Sequence, residues 1–280
     1  MRLLLLFSLL FPVAMAEEPA PLMTEGIEDD WLRTVVSLEV LGASGTAPAS
    51  IGTGFLVKTP NAHVLLVTAK HVVVDANGRV RGQLAYRINQ AGSTSLLVSD
   101  GALPAVLGSW FLSADSDVAC RFLALGPTSE IALFDFGQFL KGALVRPGAP
   151  ILVPGFPMGL RSEEYSTPLV RRGVVARSAA RELLIDAALF PGNSGGPVFY
   201  VPVFKVAPPI QSYAISSNRV LGLVSEGISY VETAVSAQTG KPRITFEQHA
   251  GLTKVVPGDG ILALLTREDV ARLDAHLVGH

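Results

Sequence analysis

The apolar residues of this chain come in short runs, and that constrains the fold more than any other feature. From about residue 31 onward, each run is cut off within a few residues by Gly, Pro, Asn or Ser. Short runs separated by turn residues are the pattern of an all-β sandwich or barrel, whereas helices need longer stretches at a 3.6-residue period. Strands are predicted over 33–41, where Val36, Leu38 and Val40 share a face, and over 54–57 and 63–68 as a hairpin around Thr59-Pro60-Asn61. A second pair, 84–89 and 93–98, turns at Ala91-Gly92, and further strands are predicted near 118–125, 149–153, 169–176, 183–187, 198–204 and 220–224. Clear helical periodicity is confined to the end. There Thr266-Arg267-Glu268-Asp269 reads as a capping box, and Val270, Leu273 and Leu277 fall on one face of a packing helix.

With 49% hydrophobic and 16% charged residues among 280, a sizeable core is available, in one large domain or two intimately packed halves. The net charge is −2 and there is no basic run, so neither a nucleic-acid nor an anionic-membrane partner is indicated. Metal-ligand spacings and cofactor motifs are absent. The first 16 residues read as a signal peptide: Arg2, an apolar run from Leu3 to Phe11, and a small-x-small site at Ala14-Met15-Ala16. That run is too short for a stable membrane anchor. Residues 17–30 read as a mobile leader. Export combined with a single cysteine, Cys120, leaves no intrachain disulfide, and this suits a bacterial periplasmic or secreted protein.

Chemistry concentrates in Leu189-Phe190-Pro191-Gly192-Asn193-Ser194-Gly195-Gly196-Pro197-Val198-Phe199. A serine hydroxyl needs a base to take its proton, and the carbonyl it attacks needs N–H groups aimed at the developing oxyanion. Glycines permit the close backbone approach that both require. Ser194 is the candidate nucleophile, and the N–H groups of Gly192 and Ser194 are the candidate oxyanion hole. A plain Gly/Pro turn is one competing reading. The other is the nucleophile elbow of an α/β-hydrolase, which the same residues satisfy as G-x-S-x-G, but the elbow requires a helix after the serine. Pro197 to Val201 reads as extended, and His249, His276 and His280, the histidines that follow, stand in no motif.

The candidate base is His71, at the end of the buried-looking strand Val64 to Val67 within Thr68-Ala69-Lys70-His71. His63 sits at a turn and reads as solvated. The carboxylate that would orient the imidazole is Asp117, at the mouth of the apolar strand Val118-Ala119-Cys120. Asp115, two residues earlier, competes with it, and Asp75 and Asp186 lack such a context.

In this order, Thr68-Ala69-Lys70-His71, Asp117-Val118-Ala119 and Gly192-Asn193-Ser194-Gly195-Gly196-Pro197 resemble the chymotrypsin-fold serine proteases. The bacterial trypsin-like peptidases related to HtrA/DegP are the nearer likeness. Gly52-Thr53-Gly54-Phe55-Leu56-Val57, Gly155-Phe156-Pro157 and Arg172-Gly173-Val174-Val175 add to it, and it spans roughly 35–265. The resemblance implies a single protease domain over 31–280. It would be built from two packed six-stranded β-barrels, with the boundary between them near 130–148, followed by the C-terminal helix. It implies a serine endopeptidase acting on protein or peptide substrates through a His71–Asp117–Ser194 triad and an acyl-enzyme. It also implies that Ala188 floors the specificity pocket, and that Ser225, Glu226 and Gly227 pair with the substrate backbone. In this picture Ser225 supports Asp117, and an uncharged floor favours small or medium apolar P1 residues.

The departures are no Ile-Val-Gly-Gly activation sequence, no tail long enough for a PDZ domain, and an extra segment at Pro202 to Asn218 that is either a loop over the cleft or an exposed insertion. Cys120 stands where a larger aliphatic is usual and reads as a small buried hydrophobe. A catalytically silent relative that binds peptides, and a serine esterase of different fold, are the alternatives to a peptidase.

Overall fold

The computed structural model describes residues 29–42, 47–142, 145–162, 164–179, 182–201 and 219–278. The expected signal peptide, nearly all of the leader, the segment from Pro202 to Asn218 and His280 lie outside the described residues. The last two leader positions, Asp29 and Asp30, form a helical turn, α1 (Asp29–Leu32). Its Trp31 is buried edge-on against Phe134 and Phe199, with ring centroids 5.1 and 4.6 Å away.

The first half contains β1 (Val35–Val40), β2 (Ala49–Lys58), β3 (Val64–Thr68), one helical turn α2 (Lys70–Val73), β4 (Leu84–Gln90), β5 (Thr94–Ser99), β6 (Phe111–Leu112) and β7 (Ala119–Leu123). These strands form one antiparallel sheet in the order β5-β4-β1-β2-β3-β7-β6. Where six strands and a closed barrel are expected, there are seven, and among the described residues no ladder joins β5 to β6. Side chains span that gap. The Asp100 carboxylate, directly after β5, accepts from Tyr86 of β4, from Trp110 Nε1 at 3.2 Å and from Arg121 of β7 at 3.1 Å. Burial raises the pKa of this carboxyl, against the pull of Arg121.

The second half is a closed six-stranded barrel, β10-β13-β12-β11-β8-β9. Its strands are β8 (Pro150–Gly155), β9 (Leu169–Ala179), β10 (Glu182–Ala187), β11 (Pro197–Tyr200), β12 (Arg219–Val235) and β13 (Pro242–Pro257). Closure gives each of the six strands a hydrogen-bonded neighbour on both sides. Ile151, Val153, Ile185, Val198 and Leu221 fill its interior and are almost wholly buried. The connecting stretch is stitched to both halves, with Phe134 bridging to Val57 and Phe139 to Val220.

Several elements differ from the sequence expectation. The alternation in β1 predicts one wet face, yet Ser37 and Glu39 are as buried as Leu38. Glu39 is held by a two-pronged pair from Arg87 at 2.6 and 2.8 Å, which makes its burial tolerable. The strand predicted at 220–224 continues to Val235 and pairs with β13 in a long ribbon whose outer part is exposed on both faces. Such a ribbon carries no core-facing alternation to read.

The C-terminal part holds two helices, α3 (Gly258–Leu265) and α4 (Glu268–Leu277), where one is expected. The capping box does not form. Thr266 Oγ1 donates back to Leu262 O at 2.8 Å, and α4 starts with no side-chain cap. Val270 and Leu277 do pack inward, and Asp274 of α4 is buried.

Candidate active site

Strand pairing brings His71 and Asp117 together. Thr68 ends β3 opposite Ala119, the first residue of β7. The residues just after β3 therefore meet those just before β7. Val72 and Val73 anchor α2 from beneath, while the His71 side chain is 49% exposed. Asp117 Oδ1 accepts the His71 backbone N–H at 2.9 Å, and Oδ2 lies 2.7 Å from His71 Nδ1. A carboxylate only accepts, so the proton sits on Nδ1 and Nε2 presents a lone pair. Ser225 Oγ donates to the same Oδ2 at 2.6 Å. Burial pushes the Asp117 carboxyl up, but the hydrogen bonds from His71 and Ser225 outweigh it and leave the group below its ordinary value.

The Ser194 loop is a built turn. Asn193 N–H donates to Phe190 O at 3.0 Å, with Pro191 and Gly192 between them and Gly192 at φ +101°. Pro at the first central position and positive φ at the second define a type II turn. The Pro191 carbonyl is held by Met158 N at 2.6 Å. Peptide planarity therefore turns the Gly192 N–H the opposite way. Among the described residues, neither the Gly192 nor the Ser194 N–H donates to any acceptor. Both are unspent donors beside the Ser194 hydroxyl, the arrangement an oxyanion hole requires.

Gly195, at φ +84°, has no room for a side chain: a Cβ there would stand 2.1 Å from Thr68 Oγ1 and 2.2 Å from Thr53 O. The Ser194 hydroxyl rests 3.5 Å from Ser225 O and, among the described residues, makes no hydrogen bond to His71. The chain after Ser194 enters β11 at Pro197, a strand and not the helix an α/β-hydrolase elbow needs.

Sequence reasoning missed the support under this loop. Thr53, fully buried on β2, reaches across to the second half. Its Oγ1 donates to Gly192 O at 2.6 Å and accepts from Phe156 N at 3.0 Å, while its N–H donates to Ser194 O at 2.8 Å. The flanking Gly52 and Gly54 were the available signal. A Cβ at Gly52 would meet Val72 side-chain carbons at 2.6 Å and Ser194 O at 3.1 Å.

His71, Asp117 and Ser194 line one cavity of about 620 Å³. Ser225, Glu226 and Gly227 line it too, with Leu189, Phe190 and Pro191 on the facing side. Ala188 requires correction. Leu189 N donates to Ala187 O at 2.8 Å, and this three-residue turn throws Ala188 out to solvent, off the cavity wall. Glu226 at the rim is paired with Lys254 at 2.7 Å.

Of the competitors, Asp115 is exposed, Asp186 is exposed on β10, and Asp75 accepts from the N–H groups of Asn77 and Arg79 in a turn. His63 is not merely solvated: its Nδ1 lies 2.7 Å from the buried Asp274. His276 lies exposed on α4. His249 stands in no motif, yet it lines the cavity. Cys120 is buried, and burial pushes its thiol up to about 12.

Residues 52–201, a stretch that contains His71, Asp117 and Ser194, match the model of the trypsin-like peptidase domain. The chain belongs to the trypsin-like peptidase family. No curated protein matches its sequence. Among solved structures it is similar to an HtrA-type protease, AlgW, carrying a serine-to-alanine substitution and bound to a tripeptide. That match has 17% identity and a TM-score of 0.45, and covers 84% of this chain and 59% of the AlgW chain. The chain thus spans less than two thirds of AlgW. It is also similar to Rv3671c of M. tuberculosis H37Rv in an inactive form, with 15% identity and a TM-score of 0.47, covering 92% of this chain and 96% of the other.

Proposed function

We propose that this chain is a serine endopeptidase in which Ser194 is the nucleophile, His71 the general base and acid, and Asp117 the group that orients the imidazole. The observation that carries the reading is the shared cavity. It holds Ser194, whose loop carries two unspent backbone donors, and a histidine whose Nδ1 is fixed by a carboxylate that accepts three hydrogen bonds.

Ser194 Oγ turns from Ser225 O toward His71 Nε2, gives up its proton there and attacks the carbonyl of a peptide. The Gly192 and Ser194 N–H groups receive the oxyanion. Imidazolium, stabilised by Asp117, then protonates the leaving amine, and water attacks the acyl-enzyme by the reverse route. The substrate backbone docks along Ser225 to Gly227. Ser225 and Glu226 have no β13 partner in the ladder there, because the register shifts between Val224 and Gly227. The apolar P1 expectation rested on Ala188, which stands outside the cavity wall, so the pocket's own polar groups decide P1 preference. The site reading sits with an exported protein, periplasmic or secreted, which cell fractionation would check.

Fluorophosphonate labelling of the mature chain, with the modified residue located by mass spectrometry, tests the reading. Labelling at Ser194 that vanishes in Ser194→Ala and His71→Ala supports it. A folded wild-type protein that stays unlabelled, and cleaves no peptide library, would be the catalytically silent relative instead.

A further inference from the structure

Of the polar groups on the cavity beside Ser194 that the proposed mechanism does not use, Asn193 and Ser229 among them, two lie on β13. Thr253 of β13 is 1% exposed and lines the cavity, and its Oγ1 is buried without a hydrogen-bond partner. An unsatisfied buried hydroxyl is costly and calls for a ligand. His249, four residues earlier on β13, reaches the same place. Its Nε2 lies 2.5 Å from where a Cβ of Gly227 would stand, so a side chain at 227 would push the ring from this place. His249 Nδ1 accepts the Gly251 N–H at 3.0 Å. In the neutral ring the proton is therefore on Nε2. Two donors, Thr253 Oγ1–H and His249 Nε2–H, thus meet at the level of Gly227, which pairs with Thr253.

That level also sets a length. Ser194 Oγ rests against Ser225 O, and Gly227 lies two residues further along β12, about 6.6 Å of extended strand. A side chain reaching from the scissile residue to both donors must be long and end in an acceptor. Glutamate fits, whereas aspartate is too short and an aliphatic side chain leaves Thr253 unpaired. A carboxylate accepts only, so it matches two donors better than a carboxamide, whose NH₂ would face them. The other charged groups on the cavity are already engaged: Glu226 by Lys254, Asp117 by His71 and Ser225.

We infer that Thr253 and His249 form a specificity subsite for a glutamate side chain at P1. The inference rests on the peptidase reading of Ser194, and the test separates the two. Peptides identical except for Glu, Gln or Leu at one position in an alanine background are titrated into the folded Ser194→Ala protein, with binding read by fluorescence anisotropy. Fluorophosphonate labelling of the wild type runs in parallel.

The expected result is that the Glu peptide binds about tenfold or more tighter than the Leu peptide. That margin is lost in Thr253→Val and His249→Ala and largely kept in His249→Gln, which retains a donor. His249 is exposed on the ribbon, so its variants keep the fold. Equal or tighter binding of the Leu peptide, a Gln peptide equal to Glu, or a Glu margin indifferent to both positions would overturn the inference. Labelling at Ser194 together with an apolar preference removes this inference alone. A Glu margin without labelling removes the peptidase reading and leaves the subsite standing.

Discussion

Thr53→Val isolates what the first half contributes to the Ser194 loop. Valine keeps the shape and removes one hydroxyl. Two backbone groups then lose their partner: the half-buried Gly192 O, which receives the hydroxyl proton at 2.6 Å, and the buried Phe156 N–H, which donates to Oγ1 at 3.0 Å. Leaving a buried polar group unpaired costs about 1–3 kcal/mol, and the half-buried Gly192 O regains part of its loss from water, so the substitution should cost roughly 1–4 kcal/mol of stability. The functional effect has a separate origin. The bond at Gly192 O helps hold the turn that keeps the Gly192 N–H free, and loss of one oxyanion donor lowers kcat by about 10²–10³. Urea denaturation and steady-state peptide hydrolysis, run on the same preparation, read the two quantities. The expected result is a lower midpoint, kcat down about a hundredfold and KM little changed, because the docking edge from Ser225 to Gly227 is untouched. A variant that loses the stability yet turns over at the wild-type rate would refute the reasoning. It would show that Met158 and the 190–193 turn hold the donor without Thr53.

Three further outcomes follow from the geometry. Asp117→Asn should lower kcat by about 10⁴ by favouring the wrong imidazole tautomer. Because the folded-state value of Asp117 is depressed, its stabilising contribution is complete above the unfolded carboxylate value of about 3.9 and is lost as pH falls through the lower folded value; the gap in melting temperature between wild type and Asp117→Asn should therefore shrink below about pH 4. Asp274→Ala removes the acceptor of Thr59, Asn61 and His63, and should cost about 3–5 kcal/mol in denaturant titrations while leaving kcat unchanged, since none of the four lines the cavity. Cys120 should resist a thiol-specific disulfide reagent at pH 8 until the chain is denatured, and rapid modification of the folded protein would contradict its burial.

The all-β class was legible because strand runs and turn residues are local properties. The same holds for the Ser194 stretch, whose glycines answer to a local backbone need that Gly192 and Gly195 display as positive φ. His71 and Asp117 could be picked out because each stands at the end of an apolar run, and strands that pair bring their ends together. What stayed hidden depends on a partner far along the chain. Glu39 reads as a solvent-facing position, and it is Arg87 across the sheet, with Arg161 at 3.7 Å, that makes it a buried one. Thr53 reads as an ordinary strand threonine until its hydroxyl is seen on Gly192, 139 residues away. His63 reads as solvated, and its partner Asp274 arrives from the last helix. The C-terminal capping box fails because α3, invisible as a separate helix, claims Thr266.

By itself, then, the amino-acid sequence determined where most of this chain outside the β12–β13 ribbon extends and turns, and which residue types are supplied for acyl transfer. The closed second barrel, the walls of the cavity and the two donors in it were decided by the tertiary structure. Ala188 was counted into the pocket and stands outside it; His249 and Thr253 were passed over and stand within. The physical reason is that a pocket is a place where distant strands meet, and its chemistry depends on which hydrogen bonds are left unmade once the others have formed.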